Sequence, residues 1–168
     1  GEFVIPGWMQ SDFPNYGMML TRGVTLVREG SGEPETRFWF HVDPALLNIA
    51  KSLKDTTSLR ACNEQNNCLS DAPEIVTGGS GVSGMTFVDN ANYRAFVYDT
   101  FEARVLDMES AAVAHVAYAN EIPFIAFRSL SDLAGGGDGE NEMATFMSLS
   151  SSNSAQVVEA FLAAMPTQ

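Results

Sequence analysis

Leu106-Asp107-Met108-Glu109-Ser110-Ala111-Ala112-Val113-Ala114 places two acids on either side of a methionine, and Arg128-Ser129-Leu130-Ser131-Asp132 ends an apolar run in a third acid beside a hydroxyl. A carboxylate in such a place can act as a general acid when burial lifts it toward the working pH. Taken alone, the first stretch has an ordinary explanation, with Asp107 as a helix N-cap and Glu109 as a first-turn acid facing the helix dipole. A third candidate is rich in glycine. Gly79-Ser80-Gly81-Val82-Ser83-Gly84 satisfies G-x-G-x-x-G, and Asp107 follows about twenty residues later, as in a dinucleotide fingerprint. The fingerprint needs a helix N-terminus directly beneath the pyrophosphate, and Met85-Thr86-Phe87-Val88-Asp89 intervenes, so NAD is not expected. Glycines that permit a tight turn with positive φ are the simpler reading.

The only cysteines, Cys62 and Cys68, are separated by the polar stretch Asn63-Glu64-Gln65-Asn66-Asn67, which reads as a loop tip. Their spacing leaves a local disulfide and two unlinked thiols equally open. A zinc site would need further ligands, and the two histidines, His41 and His115, have no ligand-like spacing to the cysteines, so no metal is expected.

The elements that must position these residues emerge from periodicity. Short apolar runs at 3–5, 24–27 and 38–41 read as strands broken by Gly, Pro and Asn. Pro44 opens a helical pattern with Asp43 at the N-cap. Beyond the cysteine loop the pattern alternates: a strand at 74–77, a glycine turn at 78–84, a helix at 90–101, a strand at 103–106, a helix at 109–120, a strand at 123–130, and one or two helices over 141–165. Alternation of this kind predicts a layered α/β fold with largely parallel strands, whose ligands gather at the carboxyl ends of the strands. Three such ends are polar here: the glycine turn, Asp107-Met108-Glu109, and Ser131-Asp132. The serine-rich run from Ser148 to Ser154 reads as a polar helix face or a break.

Composition bounds the partners. The 168 residues are 45% hydrophobic and 18% charged, which suits one globular domain with a core. A formal net charge of −12 disfavours nucleic acid and anionic membrane as partners. No apolar run approaches the roughly 20 residues of a membrane span, and Gly1-Glu2-Phe3-Val4-Ile5-Pro6 lacks the pattern of a signal peptide.

The pair D-M-E-S-A-A and R-S-L-S-D, with a helix and a strand between them, resembles the core signature of the purine nucleoside phosphorylase and methylthioadenosine nucleosidase superfamily. Gly1-Glu2-Phe3-Val4-Ile5 resembles its G-D-x-V-I strand. A narrower likeness, carried by Gly81-Val82-Ser83-Gly84, Phe87-Val88-Asp89-Asn90-Ala91, 105–115, 126–136 and Gly139-Glu140-Asn141-Glu142, is to the plant bark and vegetative storage proteins. The resemblance implies an α/β/α layered fold with a central mixed sheet, in which residues 1–168 form the C-terminal portion of one domain. The family's first strand, glycine-rich phosphate loop and water-activating acid would all lie upstream.

The resemblance also implies cleavage of an N-ribosidic bond without a cofactor. Asp132, supported by Ser131, would protonate the departing base. Glu109 would hold the ribose hydroxyls with Met108 packed on the sugar and Asp107 beside them, and the backbone of Gly81 and Val82 would lie near the base. The absence of an aromatic ring at Gly81 weakens base stacking relative to many nucleosidases. A purine nucleoside or free base is the implied ligand, with phosphate or water as nucleophile, and a homo-oligomer or a companion N-terminal fragment as the protein partner. A protein that keeps the fold for storage or defence is the alternative. The storage-protein likeness further implies a Cys62–Cys68 disulfide and a secretory, vacuolar or extracellular location.

Overall fold

The computed structural model describes residues 4–136 and 141–166. After a short 3-10 turn at Gly7–Met9, the elements run β1 (Val24–Val27), β2 (Pro34–Arg37), α1 (Pro44–Ser52), β3 (Ser80–Ser83), α2 (Ala91–Phe101), β4 (Ala103–Asp107), α3 (Ser110–Ala119) and α4 (Met143–Ala164). The expected strand at 3–5 and the Gly139-Glu140 end of the 139–142 string fall partly outside the described residues. No helix of the described residues is long and apolar enough to cross a membrane.

The α/β class stands, but the ladders are sparser than the alternation predicts. β1 and β2 form an antiparallel hairpin, and β3 pairs in parallel with β4. Strand β2 occupies 34–37 rather than the apolar 38–41 because Phe38 turns inward to stack on Phe13 at a centroid distance of 4.2 Å. The glycine turn shrinks to Gly78 and Gly79, both at positive φ, where only glycine is relaxed. The small residues after it then extend as β3. The expected strands at 74–77 and 123–130 are not assigned as strands, since no ladder joins them to the described residues. Their residues still alternate as strands do: Ile75, Ile125 and Phe127 pack inward, while Val76, Ala126 and Arg128 face outward.

Local chemistry explains the helix starts. Asp43 Oδ1 accepts the N–H groups of Ala45 and Leu46, both at 2.9 Å, ahead of Pro44 at the first helical position. Asn90 caps α2 in the same way by accepting Tyr93 N–H. The serine-rich run lies inside an unbroken α4. Two apolar clusters hold the layers. One joins Ala50, Leu53 and Phe161 of the α1–α4 region to Ile75, Ile125 and Phe127. The other joins Val97, Phe101 and Ala103 to Phe13, Phe38, Val82 and Leu106.

Cys62 and Cys68 form a disulfide across an antiparallel bridge. The loop they close is fastened to α4 by two buried asparagines. Asn63 donates from Nδ2 to Thr145 O at 3.0 Å, and its Oδ1 accepts from the backbone of Gln65 and Asn67 within the loop. Asn153 pairs with both the N–H and the C=O of Arg60 at 2.9 Å. An amide that satisfies two backbone groups at once offsets the cost of its own burial. Replacing both cysteines with serine is expected to lower the unfolding free energy by about 2 kcal/mol, the loop-entropy value for so short a loop. Chemical denaturation measures this, and titration of the unreduced, denatured protein should find no free thiol; two thiols per chain would refute the link.

Candidate functional site

The parallel pairing of β3 with β4 sets Ser83 opposite Asp107 at the carboxyl end of both strands. The Ser83 hydroxyl donates to Asp107 Oδ1 and accepts the N–H of Ala111 at 2.9 Å. Asp107 Oδ1 also accepts the N–H of Ser110 at 3.1 Å. Asp107 and Ser83 therefore satisfy the open N–H groups of α3 from outside the helix. Glu109 occupies the N-cap position but makes no capping bond with its side chain. Its carboxylate is 63% exposed and left to other work.

Arg128 draws these acids toward the 123–130 segment. Its Nε lies 3.0 Å from Asp107 Oδ2 and donates to Ser110 Oγ at 2.8 Å, while its Nη2 reaches Glu109 Oε2 at 3.2 Å. The Asp107 side chain is only 10% exposed. Burial pushes its carboxyl up, yet the bonds from Ser110 and Ser83 and the charge of Arg128 outweigh that, holding it below its ordinary value.

Four residues beyond Arg128, Asp132 is half-buried. Its Oδ1 accepts from Ser131 Oγ at 2.7 Å and its Oδ2 from Asn141 Nδ2 at 2.9 Å. The same Asn141 nitrogen lies 3.4 Å from Asp89 Oδ1, which accepts Gly135 N–H at 2.6 Å. Asp89 ends the loop after β3, so this group ties that loop to the segment carrying Asp132. Gly135 has no alternative residue here: it sits at φ +66°, and an added Cβ would fall 2.1 Å from Ala91 N.

The sequence-derived residues thus fall into two hydrogen-bonded groups, Asp107 with Glu109 and Asp132 with Ser131. Met108 stands between the first two, 42% exposed. Gly81 and Val82 lie within β3, opposite Val105 and Leu106, and Val82 packs on the Val97–Phe101 cluster. Val82 also lines a cavity of about 140 Å³ with Tyr16, Tyr93 and Phe96. Arg128, Ser83, Asp89 and Asn141 were not singled out from sequence as site residues. The loop after β3 also presents Phe87, 53% exposed, an aromatic ring close in sequence to the strand end.

A family model described as the phosphorylase superfamily matches residues 1–163. The chain belongs to the phosphorylase superfamily. Among relatives, bark storage protein A of Populus deltoides is 31% identical over 105 residues, covering 62% of this chain and 33% of that protein. A 5′-methylthioadenosine/S-adenosylhomocysteine nucleosidase of Staphylococcus saprophyticus is 33% identical over 127 residues, 75% of this chain and 49% of that protein. One of the same name from Treponema pallidum is 46% identical over 57 residues, 34% of this chain and 21% of that protein. The chain thus spans half or less of the length of these curated relatives. No solved structure matches.

The depressed Asp107 carboxyl fixes the sign of a pH effect. Its contribution to stability is fully present above its unfolded value of about 3.8 and is lost as the pH falls through the lower folded value. Asp107→Asn should remove that contribution, so the stability of the wild type and the variant should converge as the pH drops below 3.8. Thermal melts across the acid range test this; a constant gap between the two proteins would contradict it.

Proposed function

We propose that the protein binds purine nucleosides at the carboxyl ends of β3, β4 and the 123–130 segment and cleaves their N-ribosidic bond. The observation that carries the reading is that Arg128 joins Asp107 and Glu109 at the end of β4, while Asp132, four residues after Arg128 in the chain, is held on both oxygens by Ser131 and Asn141. Superfamily membership supports it. Glu109, free of capping duty, binds the ribose hydroxyls and stabilises the cation-like sugar, with Met108 against the ribose and Asp107 fixing the start of α3 just after both. Gly81 and Val82 border the base.

Asp132 supplies the proton. Its O–H bond breaks toward a purine nitrogen as the C1′–N bond breaks, the electron pair of that bond passes to the base, and an oxygen of water or phosphate bonds to C1′. The nucleophile's own activating group belongs to polypeptide outside residues 1–168, and so do the strands that complete the ladders of 74–77 and 123–130. Residues 1–168 are on this reading the C-terminal portion of one nucleoside phosphorylase-like domain, completed by a companion N-terminal segment.

The likeness to bark storage proteins favours a second reading, a storage or defence protein that keeps the fold with little or no turnover. The disulfide fits the oxidising secretory or vacuolar route of such proteins.

Turnover of 5′-methylthioadenosine and inosine by the full-length protein separates the two readings. Asp132→Asn should lower kcat by about 10² to 10⁴ with KM little changed, because it removes a proton delivered only in the transition state. Glu109→Gln should raise KM and lower kcat together, since ribose contacts precede bond cleavage. Wild-type protein that binds the nucleoside without releasing base would select the storage reading.

A further inference from the structure

Asn141 stands between two acids, of which the proposed chemistry uses Asp132. Its Nδ2 lies 2.9 Å from Asp132 Oδ2 and 3.4 Å from Asp89 Oδ1, while its Oδ1 accepts the N–H of Met143 at 2.9 Å where α4 begins. The orientation of this amide is dictated by its surroundings. Turned over, it would set its oxygen against two carboxylates and its NH₂ against a backbone donor.

The other oxygen of Asp132, Oδ1, is met by the Ser131 hydroxyl at 2.7 Å. The two donors are chemically unequal, because a hydroxyl can turn and accept whereas an amide NH₂ can only donate. A proton placed on Oδ2 would have to take the position Asn141 leaves open and would turn the oxygen that accepts the amide into a poorer acceptor. Placed on Oδ1, it requires only that Ser131 rotate.

We propose that Asn141 is a positioning residue that reserves Oδ2 of Asp132 as an acceptor, and so makes Oδ1 the oxygen that carries the proton to the leaving base. The inference rests on the reading of Asp132 as the leaving-group acid. As the Oδ1–H bond breaks toward the base, the carboxylate left behind is met by donors on both oxygens, from Ser131 and from Asn141. The amide therefore donates to the carboxylate that exists after transfer. Through Met143 the same amide is fixed to α4, whose first turns are held by the disulfide loop via Asn63 and Thr145 O.

The test uses the full-length protein with 5′-methylthioadenosine, following kcat and KM from about pH 5 to 9, the range over which catalytic acids and bases are tuned. Asn141→Ala removes the obligate donor. The alkaline limb of kcat should move up by about one pH unit, because the carboxylate form loses a hydrogen bond, and KM should stay within about twofold. Asn141→Asp keeps the oxygen that caps Met143, protecting the fold, but trades the donor for a second negative charge; its limb should move further in the same direction. Limbs that superimpose on the wild type in both variants, with only the melting temperature lowered, would mean a purely structural role and overturn the inference while leaving the functional reading intact. Full activity in Asp132→Asn, or no turnover in the wild type, would overturn the functional reading and this inference together.

Discussion

The guanidinium of Arg128 is the constraint on which the polar site depends. The extended segment that carries it makes no ladder with the described residues, so its place beside β4 is set by side chains and a few backbone bonds, such as Asp43 N–H to Phe124 O at 2.7 Å. On one face Ile125 and Phe127 sink into the α1–α4 cluster. On the other, Arg128 meets Asp107, Glu109 and Ser110 at once. A nearly buried carboxylate such as Asp107 is tolerable only when paired and hydrogen-bonded. Here it receives two hydroxyl or backbone donors and one cation, and in return orients the helix that bears Glu109.

Much of the scaffold was legible because its signals are local. Asp43 before Pro44 declares itself by type and position and caps as expected, while Asn90, read as the first residue of its helix, proves to be the cap of α2. At 123–130 the side chains alternate as a strand's do, with Ile125 and Phe127 packed inward. Strand assignment at 74–77 and 123–130 failed because a ladder is a property of two segments, and periodicity describes only one of them. The glycine-rich stretch misled in another way: its spacing matched a loop motif, while Gly81-Val82-Ser83 proved small enough to run as a strand against Val105-Leu106-Asp107.

The site was legible by residue type and less so by partnership. Acids at strand ends attract notice. An arginine in the middle of an apolar run and an asparagine ahead of a long helix do not, since each has an ordinary exposed role available to it. Ser83 is the clearest omission, because a serine followed by glycine reads as part of a turn. Only the parallel register reveals that its hydroxyl links Asp107 to the first turn of α3. Of Asp107-Met108-Glu109, Asp107 does the capping work, and Glu109, making no capping bond, pairs with Arg128.

The pairing of Asn153 with Arg60 joins residues 93 positions apart, and that of Asn63 with Thr145 joins residues 82 apart. The β3–α2–β4–α3 unit, by contrast, is built from neighbours in the chain. The entropy of loop closure grows with sequence separation, so the pairings that hold α4 against the cysteine loop cost more to close than the contacts of the local unit. Asn141 lies just ahead of α4 and nine residues from Asp132, so that link closes only a short loop. The polar centre is thus tied by links that close short loops, and the costly closures are those that fasten α4 to the chain around the cysteine loop.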